Sequence, residues 1–355
     1  MLSLSPSLDE RDVQEHLNLI VAPCLTTDLC ASAIRRLHRR FQVYAATCPA
    51  PLPARGLIIT PEIRRQSEIY LPVCEITAAF NHLYRKTLVH PPILGSTPFH
   101  NALSWADVFA ALPPQFQFSP NPARLLEELL DRPEMLTEFL CASFLPQRFY
   151  GGFRRYPLQR ECVKYWLGGC GRKQLRCLDA ASGTGEDSYG LALQLIENGY
   201  QPADFQIEGW TIEPLEVWAA AHARFPHDPE REAAYRREVA DVFSCQAVDR
   251  IRFRTVDLRE LAPASPLHES RVVFDLILCN GLLGGPIIHD GEEMKSVVLT
   301  LAQLLAPGGL LLAADHFHGG WKRQCPQQEL RALFEMNGLL TQQAAEGFAV
   351  LKPDQ

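Results

Sequence analysis

Apolar side chains recur at helical spacing over Asp9–Val21, Asp28–Ala46, Pro61–Leu88 with an interruption at Pro72, Trp105–Leu112, and Pro122–Phe144 with a break near Pro133. Proline-rich connectors such as CPAPLPARG and HPPILGSTP separate these stretches. From residue 175 the pattern changes to short apolar runs alternating with helical segments, which predicts a parallel sheet with crossover helices. Strands are predicted at Leu175–Ala180, Phe205–Thr211, Ile251–Thr255, Phe274–Leu278 and Leu310–Ala314, and helices at Asp187–Asn198, Pro214–Phe225 and Met294–Leu305. The tail MNGLLTQQAAEGFAVLKP reads as a helix stop at Gly338 followed by a hairpin turning at Glu346 and Gly347.

Glycine divides the chain the same way. Up to residue 150 only Gly56 and Gly95 occur, whereas glycines recur throughout the sequence from Gly151 onward. The expected organisation is a helical domain over 1–148 and an α/β domain over 149–355.

Composition narrows the class. The 355 residues are 47% hydrophobic and 21% charged, ordinary values for a globular protein with a sizeable core. A formal net charge of −7 argues against a nucleic acid partner, because phosphate binding needs a basic face. The RRLHRR run places Arg35, Arg36, Arg39 and Arg40 around one side of a helix, read first as a solvated face and second as a docking surface for an acidic partner. Eleven cysteines contain no C-x-x-C pair, and MLSLSPSLDERDVQ lacks a basic region leading into an apolar one, so reduced thiols and a cytoplasmic location are expected. No window reaches the length of a membrane span, and no membrane partner is expected.

The segment CLDAASGTGEDSYGLAL, residues 177–193, joins the first predicted strand to the first helix of the sheet region. A P-loop is excluded, since Gly185 and Gly190 have its spacing but are followed by Leu191 and Ala192 rather than a lysine. A dinucleotide fingerprint fails as well, because Ser188 stands at the third glycine position after Gly183 and Gly185. The turn fits a ligand with a sulfonium, a carboxylate and a nucleoside. Asp179 ends the strand where a cationic amino group can sit, Gly183 and Gly185 let backbone approach closely, and Glu186 opens the helix near amides able to take a carboxylate.

The run Ala181, Ser182, Gly183, Thr184, Gly185, Glu186, Asp187, Ser188, Tyr189 resembles the first loop of class I S-adenosylmethionine-dependent methyltransferases, and among them the CheR-type chemotaxis-receptor glutamate methyltransferases. The likeness extends over residues 150 to 315, with GFRRYPL similar to the segment leading into the catalytic domain and FDLILCNGLL similar to the fourth strand. It implies a Rossmann-like, seven-stranded α/β sheet behind an all-helical N-terminal domain that covers the pocket and selects the substrate, with S-adenosyl-L-methionine as cofactor. By the same resemblance Arg154 or Arg155 lies near the sulfonium and acceptor, Glu186 contacts the methionine moiety, Asp257 and Leu258 border the adenine, and Asn280 and Gly281 line the pocket. Asp257 is expected to accept a hydrogen bond from the adenine amino group.

The departures bear on function. Thr211 stands where the family has a ribose-binding aspartate, and Glu213 two residues later is expected to turn inward and take the diol. PQRFYGGFRR lacks the family's Asn and Thr, CNGLLGG lacks its Arg-Asn pair, and no receptor-binding β-subdomain is visible between Phe317 and Phe348. A hydroxyl or amine acceptor needs a base, which His316 or His318 of ADHFHGGW can supply at the pocket rim; a metal at Asp315, His316 and His318 is not expected. The expected activity is methyl transfer to a protein carboxylate or a small molecule. The alternative is an inactive adenosylmethionine-binding regulatory or interaction protein.

Overall fold

The computed structural model describes the chain except for residues 23–26, 146–151, 262–271, 286, 315–325, 345 and 355. Two compact units are present: one of Asp9–Gln147 with Arg224–Glu232, the other of Met1–Leu8, Arg148–Ala223 and Ala233–Gln355. The first eight residues therefore belong with the sheet, and a short downstream stretch with the helices, instead of a single break near residue 148.

The helical unit holds α1 (Glu10–Asn18), α2 (Ala31–Thr47), α3 (Pro61–Tyr70), α4 (Val73–Thr87), α5 (Trp105–Ala111), α6 (Pro122–Asp131) and α7 (Pro133–Phe144). Local chemistry sets these ends. Thr60, Ser104 and Asn121 accept the first free amides of α3, α5 and α6, and Pro72 and Pro133 interrupt what would otherwise be longer helices. The core is aromatic, with Phe80 stacked on Phe99 at 4.4 Å and the Tyr84 hydroxyl bonded to Ser143 Oγ at 2.9 Å. Two of the four clustered arginines of α2 are spent on one acid: Arg36 and Arg40 both reach Glu75 of α4, at 3.1 and 2.6 Å.

In the other unit, eight strands form one mixed sheet: β1 (Ser3–Leu4), β2 (Leu175–Asp179), β3 (Phe205–Thr211), β4 (Ile251–Thr255), β5 (Phe274–Leu278), β6 (Leu305–Ala313), β7 (Leu340–Ala344) and β8 (Gly347–Leu351). Their order is β1-β4-β3-β2-β5-β6-β8-β7. β4, β3, β2, β5 and β6 run parallel; β8 is antiparallel to both β6 and β7, and β1 is antiparallel to β4. The chain proceeds outward in one direction through β2, β3 and β4 and in the other through β5 and β6, so the carboxyl ends of β2 and β5 flank a switch point. Ligands of open α/β sheets bind at such crevices.

The helices are α8 (Pro157–Cys170), α9 (Glu186–Glu197), α10 (Pro214–His222), α11 (Pro229–Ser244), α12 (Gly291–Leu304) and α13 (Gln327–Met336). The expected seven strands become eight because β1, two residues long, is too short to leave a periodic signal. β6 begins at Leu305 instead of Leu310. Pro307, Gly308 and Gly309 stay within it, at the cost of an irregularity in its pairing with β5 between Phe274 and Leu276. α10 stops before Phe225 because Ala223 is left-handed, with φ +48°. Among the described residues no helix is long and apolar enough to cross a membrane.

Candidate functional site

β2 ends on Asp179, and the next residues cross the carboxyl edge of the sheet. Ala180 donates its amide to Leu278 of β5, and Ser182 donates to Trp210 of β3, so the loop is anchored on both neighbouring strands. Gly185 N bonds Ser182 O at 2.8 Å, closing a turn that ends with Gly185 at φ +91° as the cap of α9. The Tyr235 hydroxyl of α11 donates to Thr184 O at 2.6 Å.

The two glycines of the turn do different work. A Cβ on Gly185 would lie 2.9 Å from the Phe253 ring and 3.0 Å from Ala220 Cβ, so this residue permits packing within the protein. A Cβ on Gly183, at φ +51°, would meet nothing within 4 Å. Only Gly183 faces open space at the crevice.

Asp179 is 1% exposed. Its Oδ2 accepts from Ser188 Oγ at 2.7 Å, while Oδ1 is buried without a well-formed hydrogen bond. Burial, and then the neighbouring charge of Asp187, push its carboxyl up to about 7; Ser188, Arg155 and the Ala181 amide oppose the shift without cancelling it. The buried Ser182 Oγ likewise has no hydrogen-bond partner among the described residues. Asp179 Oδ1 and Ser182 Oγ thus lie beside the turn without a well-formed hydrogen bond among the described residues, where burial is costly unless something pairs with them.

Asp187 joins this group to the rest of the sheet's edge. Its Oδ2 accepts from Arg155 Nη2 at 2.7 Å and from Asn280 Nδ2 at 3.1 Å. Burial alone would lower the Arg155 guanidinium, and the Asp187 carboxylate more than offsets it, so the arginine stays charged. Of the expected pair, Arg155 is the one brought to the site; Arg154 is exposed. Asn280 is buried with a full set of bonds. Its amide exchanges hydrogen bonds with Gln159 at 2.9 and 3.0 Å, and its Oδ1 also takes the Ala314 amide. A small cavity of about 40 Å³ lies against Arg155, Tyr156, Gln159, Asp187 and Asn280. Gly281, at φ +69°, ties its amide to Ala314 O.

Glu186 is partly buried, and both its carboxylate oxygens lie 2.8 Å from the Thr184 hydroxyl. Asp257 follows β4, and both its oxygens accept from Arg259, whose guanidinium holds the carboxyl below the usual carboxylate range. Leu258 is buried in the apolar cluster that contains Trp210 and Val256.

Glu213 lies just beyond the end of β3. It is buried, not solvent-facing, and its Oε1 accepts the Leu215 amide as the cap of α10. Glu216, one turn into that helix, was not singled out by its position in the sequence. Its Oε2 accepts the Thr211 hydroxyl, whose oxygen is also 3.4 Å from the Glu213 amide. A strand-end threonine three residues ahead of a helix's first turn is the signal that could have found it. His316 and His318 lie outside the described residues, as does Asp315. No group of three metal-ligating side chains occurs among the described residues.

No known protein-family profile matches the chain. Over 146 residues it is 31% identical to the probable biofilm formation methyltransferase WspC of Pseudomonas putida, a match covering 40% of this chain and 34% of that protein. The chain therefore spans about a third of the curated relative. Similar solved structures include a putative rRNA methylase from Clostridium thermocellum, 14% identical over 55% of this chain and 94% of that one, TM-score 0.35. The N-methyltransferase NodS of Bradyrhizobium japonicum is also 14% identical, over 57% of this chain and 99% of that one, TM-score 0.34. In the sheet-bearing unit six strands, β4, β3, β2, β5, β6 and β7, point the same way, the antiparallel β8 is set between β6 and β7, and the glycine turn follows β2.

Proposed function

We propose that the chain binds S-adenosyl-L-methionine at the carboxyl ends of β2, β3 and β4 and transfers its methyl group to an acceptor. The observation that carries this reading is the loop over Asp179, Ser182 and Gly183. It pairs two buried polar atoms that lack a well-formed hydrogen bond among the described residues with a left-handed glycine whose Cβ direction is open. These groups fit an adenosylmethionine: Asp179 suits its ammonium, the start of α9 suits its carboxylate, and Asp257 suits its adenine amino group.

When bound, the cofactor supplies an electrophilic methyl on a sulfonium. The protein's own task is positioning, since holding donor and acceptor in line contributes up to about 7–11 kcal/mol of barrier lowering. Asp179 and the α9 terminus fix the amino-acid end, and Asp257 fixes the base. Arg155, oriented by Asp187 and kept charged, stands where it can draw in an acidic acceptor; a carboxylate acceptor needs no general base.

The test is incorporation of labelled methyl from adenosylmethionine into an extract of the native cell, followed by mild alkali. Label released as methanol identifies a methyl ester and a carboxylate acceptor; alkali-stable label identifies a hydroxyl, nitrogen or carbon acceptor. Adenosylmethionine binding by calorimetry with no incorporation would leave a binding protein and refute the enzyme.

A further inference from the structure

We infer that Gln159 and Asn280 are positioning residues for Arg155: a buried pair of side-chain amides that aims Asp187 and, through it, the guanidinium offered to the acceptor. The inference rests on the methyl-transfer reading above, in which Arg155 draws in an acidic acceptor, and adds the groups that hold it there. Asn280 has nothing left for a ligand. Its Oδ1 accepts from Gln159 Nε2 at 2.9 Å and from the Ala314 amide at 3.1 Å. Its Nδ2 donates to Gln159 Oε1 at 3.0 Å and to Asp187 Oδ2 at 3.1 Å. A carboxamide offers two acceptor and two donor positions, and all of them are taken. The Ala314 amide fixes which end of the group is oxygen, so the nitrogen faces Asp187.

Gln159 is itself held from the opposite side. The side chain of Tyr156, ahead of α8, makes no cap, and Glu346 of the β7–β8 turn supplies one: its Oε2 accepts the amides of Leu158 and Gln159, each at 3.0 Å. Hydrogen-bonded groups therefore run from the hairpin turn through Gln159, Asn280 and Asp187 to Arg155. Packing does not replace them, because the cavity of about 40 Å³ against Arg155, Gln159, Asp187 and Asn280 leaves empty space beside the guanidinium. The Tyr156 ring, its centroid 4.8 Å from the guanidinium carbon, attracts the charge without directing its N–H groups. Direction comes from Asp187, and loss of the bonds at Gln159 frees the carboxamide that fixes Asp187.

The experiment uses the full chain, labelled adenosylmethionine and native cell extract as the source of acceptor, with adenosylhomocysteine calorimetry and thermal melting of every variant. Gln159→Leu removes both amide bonds with little change in volume; Gln159→Ser, too short to reach Asn280 and open to water, serves if the leucine variant does not fold. Either should lower alkali-labile methyl incorporation at limiting extract by roughly tenfold, with the half-saturating adenosylmethionine concentration and the adenosylhomocysteine affinity unchanged. In an Arg155→Leu background the same replacement should cost nothing further, since Gln159 acts through the arginine. Gln159→Glu, which still accepts from Asn280 Nδ2, should restore most of the incorporation. Parental incorporation without the Gln159 amide, losses that multiply with Arg155→Leu, an equal fall in adenosylhomocysteine affinity, or a Gln159→Glu variant as poor as Gln159→Leu each overturn the inference. An Arg155→Leu variant as active as the parent, or a parent whose label is alkali-stable or absent, overturns instead the reading on which it rests.

Discussion

Arg155 Nη2 lies 2.7 Å from Asp187 Oδ2, and that same oxygen takes the Asn280 amide at 3.1 Å. The carboxylate thus joins the segment before α8, the start of α9 and the end of β5 at one atom.

Removing it leaves a largely buried guanidinium whose Nε already has no partner among the described residues. Asp187→Ala should therefore destabilise the protein by about 3 kcal/mol, the cost of an uncompensated buried charge. Asp187→Asn should cost less, because one amide oxygen still accepts. Denaturant unfolding of both variants measures the difference; equal stability of parent and Asp187→Ala would show that the pair does not hold these elements together.

Asp179 gives opposite pH signs for folding and for binding. Its carboxyl, pushed up to about 7, keeps a proton in the folded chain where an unfolded aspartate has lost it. That contribution to stability is present in full below the usual carboxylate range and is lost as pH rises to about 7. A ligand ammonium favours the ionised form, so affinity for adenosylmethionine should rise with pH up to about 7 and level off above it. Asp179→Asn should flatten the profile. A parent affinity that falls over this range would place the ammonium elsewhere.

The glycine turn predicts two separable failures. Gly185→Ala drives a Cβ against Phe253 and Ala220 and should cost about 1–3 kcal/mol of stability. Gly183→Val has room within the protein, so the loss of stability should be about 1 kcal/mol from its left-handed backbone, while adenosylhomocysteine binding is abolished. Melting and calorimetry on the same samples separate the two. Parental affinity in Gly183→Val would move the ligand away from this loop.

Much of this architecture was legible in the chain. β3, β4 and β5 match their predicted spans: β5 is buried throughout, while β3 and β4 carry buried apolar residues at alternate positions, Phe205 and Ile207 in one and Ile251 and Phe253 in the other. The prolines at 72 and 133 fall at the helix breaks, since proline cannot donate within a helix. α8 and α11 were illegible for a physical reason: each buries a narrow stripe, Gln159, Val163 and Leu167 in one and Tyr235, Val239 and Val242 in the other, on an otherwise polar cylinder. At the site, Asp179 and Gly183 could be found because strand end and turn are local features. Thr211–Glu216 and Asp187–Arg155 could not, because hydrogen bonding between side chains of different elements leaves no periodicity.

Asp257 supplies the last prediction, and Arg259 decides its form. Both carboxylate oxygens accept from that guanidinium, which keeps the group ionised and fixes its direction. A carboxylate retains further lone pairs, so one oxygen can still accept from an adenine amino group. Asp257→Ala should weaken adenosylhomocysteine binding by about 1–3 kcal/mol, the range for a charge-assisted hydrogen bond. The control is the inosine analogue, in which a carbonyl replaces the amino group and repels a carboxylate. The parent should discriminate strongly against it, and Asp257→Ala should discriminate little. Arg259→Ala should fall between, because the charge remains and only its orientation is released. Equal discrimination in parent and Asp257→Ala would mean that the Asp257–Arg259 pair closes the strand end and that the adenine is read by another group.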